Sequence, residues 1–122
     1  MKANWNIHES VLSSRDDLYN VIDGIRNSKQ PTMVFLEADN GRMLVFGVGS
    51  TESVLTFAEP DGSSYHSLGN PERKGHLLFL CRDQVDEFMA EMAVPEDDAL
   101  RAAEEFFSTQ ERPEGIVWEA DW

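Results

Sequence analysis

In TMVFLEADNGRMLVFGVG, residues 32–49, two β-rich runs lie on either side of a turn signal. The pair Asn40-Gly41 favours the tight two-residue turn that closes many β-hairpins. The second run, residues 43–48, is apolar on both faces, which is typical of a strand in the middle of a sheet. The stretch therefore predicts a central β-hairpin.

More strands are predicted before and after this hairpin. Residues 3–9 alternate apolar and polar side chains and predict one short strand. Strands are also predicted at residues 52–59 and 65–69, and the apolar run HLLFLC, residues 76–81, predicts another central strand. Residues 85–92 fit an edge strand or a helix, because Phe88 and Met92 satisfy both spacings. The short polar turn after Cys81 favours the edge strand.

Two amphipathic helices are predicted. In the first, within residues 13–31, Ser14 is the N-cap and Asp17 completes a capping box with it. The apolar stripe of this helix is Leu18, Val21, Ile22 and Ile25. In the second, within residues 94–113, Pro95 and three acidic residues occupy the first helical turn. Its apolar stripe is Ala99, Leu100, Ala103, Phe106 and Phe107.

The last eight residues, GIVWEADW at 115–122, alternate as a half-buried strand does. Ile116, Trp118, Ala120 and Trp122 share one face, and the carboxylates of Glu119 and Asp121 lie on the other. We expect this strand to dock in the sheet and to bury Trp118 and Trp122. The order of elements predicts an α+β fold, a mostly antiparallel sheet of about seven to eight strands with two helices packed on it. Residues 1–122 are expected to form one domain.

The chain carries 23 acidic and 10 basic residues, a formal charge of −13. This charge disfavours direct binding to nucleic acid or to membranes, because their phosphate groups would be repelled. A basic protein partner fits the charge, and so does an acidic surface that only keeps the protein soluble. No apolar run reaches the ~20 residues of a membrane span, and the N-terminus does not resemble a signal peptide. We therefore expect a cytoplasmic protein.

No motif of catalytic or metal-binding chemistry is found in the sequence. His8, His66 and His76 are far apart, and none forms a metal-ligand spacing with Cys81, the single cysteine. The segment Gly47-Val48-Gly49 lacks the third glycine and the Lys-Ser/Thr pair of phosphate-binding loops. These glycines are expected to allow a bulge or close packing under a helix. The sequence predicts an unreactive, buried Cys81, no cofactor, no metal and no enzymatic activity.

The acidity is concentrated in the last third of the chain. Residues 82–122 contain 13 acidic residues and three arginines, a net charge of −10, whereas residues 1–81 carry a net charge of −3. Charges on an edge strand also resist aggregation, so this distribution has two explanations.

Several short motifs occur in a characteristic order. They are Gly47-Val48-Gly49 at the end of a strand, Tyr65-His66-Ser67-Leu68-Gly69, Val94-Pro95 before a helix with a phenylalanine near its end, and a Pro-x-x-Ile-x-Trp finish at residues 113–118. In this order the chain resembles immunity family one of bacterial polymorphic toxin systems, from about residue 30 to the C-terminus.

The resemblance implies a small protein that binds a cognate secreted toxin domain, often a deaminase or nuclease, and blocks its active or substrate-binding site. Such a toxin is expected to present a basic cleft, for which an acidic inhibitor is the electrostatic complement. We predict toxin contacts from Asp83, Asp86, Glu87 and Glu91, with Tyr65 as an aromatic anchor. The monomer is the favoured state. The alternatives are a chaperone or adaptor that escorts a secreted effector, and a small enzyme.

Overall fold

The computed structural model describes residues 1–121, so the predicted burial of Trp122 lies outside the described residues. The helices are α1, Arg15–Ser28, and α2, Glu96–Thr109. The strands are β1 Lys2–Trp5, β2 His8–Val11, β3 Thr32–Glu37, β4 Met43–Val48, β5 Glu52–Ser53, β6 Leu55–Ala58, β7 Ser64–Ser67, β8 His76–Cys81, β9 Gln84–Met89, β10 Val94–Pro95 and β11 Trp118–Ala120. One turn of 3-10 helix, Ala90–Met92, separates β9 from β10.

Nine of these strands form one sheet, whose main path is β11-β7-β6-β4-β3-β1-β2. β8 also pairs with β3, and β9 pairs with β8. Neighbouring strands are antiparallel except β3 and β8, which meet in parallel at Thr32 and Leu80. β5 and β10 form a separate two-stranded sheet. The predicted α+β fold with a mostly antiparallel sheet is confirmed, and the sheet is larger than predicted.

The predicted central hairpin consists of β3 and β4, and β4 lies between β3 and β6. Its loop is longer than the predicted two residues. The Ala38 N–H donates to the Arg42 carbonyl at 2.9 Å, which leaves residues 39–41 in the loop. Of these three residues only Gly41 has a positive φ, +89°. That pattern is typical of a three-residue loop closed by a glycine bulge, so Asn40 does not have to adopt the left-handed conformation.

Both helices pack on one face of the sheet, where they contact β4. Leu44, Phe46 and Val48 of β4 point to this face and are fully buried. The predicted apolar stripe of α1 is buried in full. In α2 the buried residues are Ala99, Ala102, Ala103 and Phe106, whereas Leu100 and Phe107 are only partly buried. The small side chains of α2 allow the helix to lie close to the sheet.

The starts of the two helices are fixed by specific hydrogen bonds. The predicted capping box of α1 is confirmed, because Ser14 Oγ and Asp17 Oδ2 each accept the other residue's backbone N–H at 3.2 Å. Pro95 pairs in β10 and precedes α2 instead of lying in its first turn. Glu96, the first residue of α2, accepts hydrogen bonds from Arg26 Nη2 at 2.6 Å and from the Gly49 N–H at 2.8 Å. This carboxylate therefore joins α1, α2 and the end of β4.

The β8–β9 hairpin covers part of the opposite face of the sheet. Phe79 of β8 forms a second buried cluster with Met33 and Val54. It lies directly against Gly47, where an added Cβ atom would be 2.5 Å from Phe79 Cε1. The close packing predicted at this glycine is therefore present, but under an aromatic ring of β8 instead of under a helix.

Two predicted strands are divided in the structure. The chain turns at Asn6, whose φ is +52°, so that β1 pairs with β2 and residues 3–9 do not form one strand. Asparagine tolerates this left-handed conformation, which ends the alternation after Trp5 and leaves Ile7 80% exposed. Residues 52–59 are divided at Val54, because β5 pairs with β10 while β6 pairs with β4 and β7.

The C-terminal strand β11 docks in the sheet, as predicted, and pairs with β7 at one edge. It is shorter than predicted, because residues 115–117 precede it without forming part of the strand. Ile116 is buried, but Trp118 is only half-buried. The Trp118 indole lies 6.2 Å from the ring of Phe57, between ring centroids, and its N–H donates to the Pro113 carbonyl at 2.8 Å. Because β11 is an edge strand, Trp118 lies at the margin of the core and is only partly buried. The predicted burial of Trp118 is therefore incomplete.

Candidate interaction surface

His66 lies among carboxylates on the face of β7 that is turned away from the helices. Its Nδ1 contacts Asp121 Oδ1, and its Nε2 is 3.8 Å from Glu119 Oε1. Ser64 Oγ donates to Asp121 Oδ2 at 3.0 Å and not to the imidazole. The cluster therefore lacks the hydrogen bond between nucleophile and base that acyl-transfer chemistry needs, and it links β11 to β7.

Cys81 lies on the inner face of the β8–β9 hairpin and is half-buried. Burial raises the pKa of its thiol, and a hydrogen bond to the Asp86 carboxylate raises it further. The thiol is therefore protonated near neutral pH and is a poor nucleophile. Within residues 1–121, no three histidine, cysteine, aspartate or glutamate side chains are grouped so that they could hold a metal ion. No helix in this part of the chain is long and apolar enough to cross a membrane.

The four predicted acidic contact residues lie on or beside the β8–β9 hairpin. β9 is the edge strand predicted for the first part of residues 85–92, and residues 90–92 form the 3-10 turn. Asp83 is exposed at the hairpin turn, and Glu87 is exposed on β9. Asp86 lies opposite Phe79 on the inner face, and Glu91 is half-buried in the 3-10 turn. The structure therefore places Asp86 and Glu87 on opposite faces of one strand.

Tyr65, the predicted aromatic anchor, lies on the side of the sheet opposite to the one that the β8–β9 hairpin covers. It is on β7, next to Phe57 on the helix-covered face, with ring centroids 6.5 Å apart. The Arg112 guanidinium carbon lies 4.4 Å from the Tyr65 ring centroid. β6, β4, β3 and β8 separate β7 from β9 in the order of pairing. The structure does not combine Tyr65 and the acids of β9 into one surface.

The solvent side of the β8–β9 hairpin is apolar, which the sequence did not predict. We call this side the outer hairpin face; it consists of His76, Leu78, Leu80, Val85, Glu87 and Met89. Leu78 is 57% exposed, Val85 55% and Met89 52%. HLLFLC is therefore not a central strand buried on both faces, because only its inner side chains, such as Phe79, meet the sheet. The apolar composition of HLLFLC could not show which side lies in water.

Three carboxylates lie within or next to the apolar part of the outer hairpin face. Glu87 stands between Val85 and Met89 along β9 and directly opposite Leu78 on β8. Asp83 lies at the turn end of the hairpin, and Glu91 follows its other end. Beyond Met89 the surface continues into an open groove of about 620 Å³, which residues 71–76 line together with Glu91.

The nearby arginines make contacts within the fold. The Arg82 guanidinium carbon lies 4.7 Å from the ring centroid of Phe35. Arg73 Nη1 lies 2.5 Å from Glu52 Oε2, and this hydrogen bond lowers the pKa of the Glu52 carboxyl. Arg82 and Arg73 are thereby turned to partners on the protein itself, whereas Lys74 lines the groove beside Met89 and Glu91. The carboxylates beside the outer hairpin face are therefore only partly compensated.

The chain matches a known protein family over nearly its whole length. The family model described as Immunity protein Imm1 matches residues 7–120. This span includes both helices and every strand from β2 to β11. It begins earlier than the sequence motifs indicated and includes α1. A search of curated proteins gives no match.

Proposed function

The chain belongs to the Imm1 family of immunity proteins, and from this membership we propose that it binds a cognate secreted toxin domain and neutralises it. The family match over residues 7–120 is the observation that carries the proposal. The matched residues include the glycines and both prolines of the motifs, and the structure gives several of these residues a role in packing or hydrogen bonding. One example is Gly69, whose N–H donates to the Glu91 carbonyl at 2.7 Å.

The proposed mechanism is steric occlusion of the toxin, with no catalytic step by this protein. The protein acts in the cytoplasm as a monomer and covers the active or substrate-binding site of the toxin, one molecule to one. A toxin that acts on nucleic acid, such as a deaminase or nuclease, needs a cationic surface for its substrate. The net charge of −13 makes this chain an electrostatic complement of that surface.

We expect the gene adjacent to this chain's gene to encode a large protein that ends in a toxin domain. That domain, inactivated by a substitution in its catalytic site, tests the proposal. We expect the folded domain to form a one-to-one complex in calorimetry and size-exclusion chromatography. No binding to the folded domain would contradict the proposal. Binding only to an unfolded or N-terminal segment of the large protein would identify a chaperone or adaptor instead.

A further inference from the structure

The outer hairpin face differs from the solvent side of an ordinary antiparallel hairpin. When one side of a hairpin packs on a sheet, the other side normally carries polar residues. Here Leu78, Val85 and Met89 are each more than half exposed on the solvent side. They are neighbours, because Leu78 is diagonal to both Val85 and Met89 across the strand pair. A cluster of exposed apolar side chains with a polar border is typical of a protein-binding surface.

The charges of this surface indicate the kind of partner. Glu87 lies within the apolar cluster, and Asp83 and Glu91 lie at its two ends. A second copy of this chain would bring the same carboxylates against one another, which is unfavourable. A partner with apolar side chains bordered by lysine or arginine would complement both the shape and the charge.

We infer that the outer hairpin face is the surface that contacts the toxin, and that the toxin meets it with an apolar spot bordered by basic side chains. This inference rests on the proposed function. Leu78, Val85 and Met89 hold the complex together once it has formed, because burying them removes apolar surface from water. Glu87, Asp83 and Glu91 act mainly on association. Asp86 contributes little, because it faces the sheet.

The experiment compares two triple variants with matched chemistry. The hairpin variant carries Leu78→Thr, Val85→Thr and Met89→Thr. The control variant carries Ile7→Thr, Val11→Thr and Val117→Thr, which replace side chains that are 80%, 70% and 65% exposed elsewhere on the protein. Threonine keeps a high β-propensity, so both variants should fold, as circular dichroism and a thermal melt will show.

Binding to the inactivated toxin domain is then measured with a biosensor. We expect the hairpin variant to dissociate ~30-fold faster or more than the parent protein, and the control variant to dissociate at the parental rate. Glu87→Gln should slow association at low salt, whereas Asp86→Asn should not. Parental dissociation of the folded hairpin variant would overturn the inference and leave the proposed function intact.

Two further outcomes separate this inference from its premises. If the parent protein itself does not bind the folded domain, the proposed function fails, and the inference fails with it. If sedimentation shows that the parent protein dimerises and that the hairpin variant does not, a second copy of the chain occupies the surface, and the toxin assignment is wrong.

Discussion

Gly47 illustrates how one residue fixes the position of the β8–β9 hairpin. Its missing side chain leaves the space that the Phe79 ring occupies, and an added Cβ atom would be 2.5 Å from that ring. Gly69 has a similar role, because a Cβ atom there would be 2.0 Å from the Ala93 carbonyl oxygen. These two contacts explain why glycine stands at these positions, where other residues would displace the hairpin or the segment after it.

The first prediction tests the contact between Gly47 and Phe79. Gly47→Ala should lower the free energy of unfolding by about 1–3 kcal/mol, because the methyl group overpacks against the ring. The control is Gly24→Ala, at a helical position with no atom within 4 Å of the added Cβ. This control should raise the free energy of unfolding by about 0.5–1 kcal/mol through helix propensity. Urea denaturation measures both, and effects of the same sign would contradict the packing described here.

A second prediction at this scale concerns Cys81. Burial and Asp86 raise the pKa of the thiol in the folded protein, so its thiolate fraction at a given pH is lower than in the unfolded chain. Alkylation by iodoacetamide should therefore be slower in the folded protein, and its rate should begin to rise at a higher pH than in the unfolded chain. Asp86→Asn should shift the pH–rate profile to lower pH, whereas Asp83→Asn at the exposed turn should not. Identical profiles for the two variants would show that Asp86 does not face the thiol.

At the scale of elements, β11 is held from two sides. Its Trp118 ring packs beside Phe57 and its indole N–H reaches the Pro113 carbonyl, while the polar cluster of His66 and Asp121 ties the other face to β7. An edge strand buries only part of its side chains. Its contribution to stability should therefore be smaller than that of a central strand.

Trp118→Ala tests that expectation. We expect the free energy of unfolding to fall by about 2 kcal/mol, less than the ~3–5 kcal/mol typical of an enclosed aromatic residue, because Trp118 is half-buried. Trp118→Phe keeps an aromatic ring beside Phe57 but loses the hydrogen bond and part of the ring surface, so it should cost about 1 kcal/mol, less than Trp118→Ala. Chemical denaturation distinguishes the two. A loss below about 0.5 kcal/mol for Trp118→Ala would mean that β11 does not contribute to the folded core.

The elements that could be predicted are those whose capping residues and apolar pattern match the burial that they have in the fold. The first helix has a capping box and an apolar stripe that is buried in full, so its sequence was sufficient. The β1–β2 hairpin depends on a left-handed Asn6, which alternation could not reveal. The position of Asp86 and Glu87 on an edge strand could be predicted, but their faces depend on the register of β8 with β9. Glu91 was also expected on that strand and lies in the 3-10 turn after it. The exposure of the apolar outer hairpin face could not be predicted, because an apolar run is compatible with burial on either side.

At the scale of the whole molecule, the two faces of the sheet have different roles. The helices enclose one face and provide the main core. The other face supports the β8–β9 hairpin through Phe79 and its neighbours, and the outer hairpin face is turned to solvent. The net charge of −13 adds long-range attraction for a basic partner.

If this protein neutralises a toxin by binding it, the activity of the toxin should fall in proportion to the amount of this chain that is added, and an inhibition titration measures that fall. The active C-terminal domain of the protein encoded by the adjacent gene is held at a fixed concentration, and its activity is measured against increasing amounts of this chain. We predict a linear fall that ends at one equivalent, and a requirement for more protein when the hairpin variant is used. Undiminished toxin activity at a tenfold excess of the parent protein would contradict neutralisation by binding. A progressive loss of activity at far less than one equivalent would also contradict it and would indicate an enzyme.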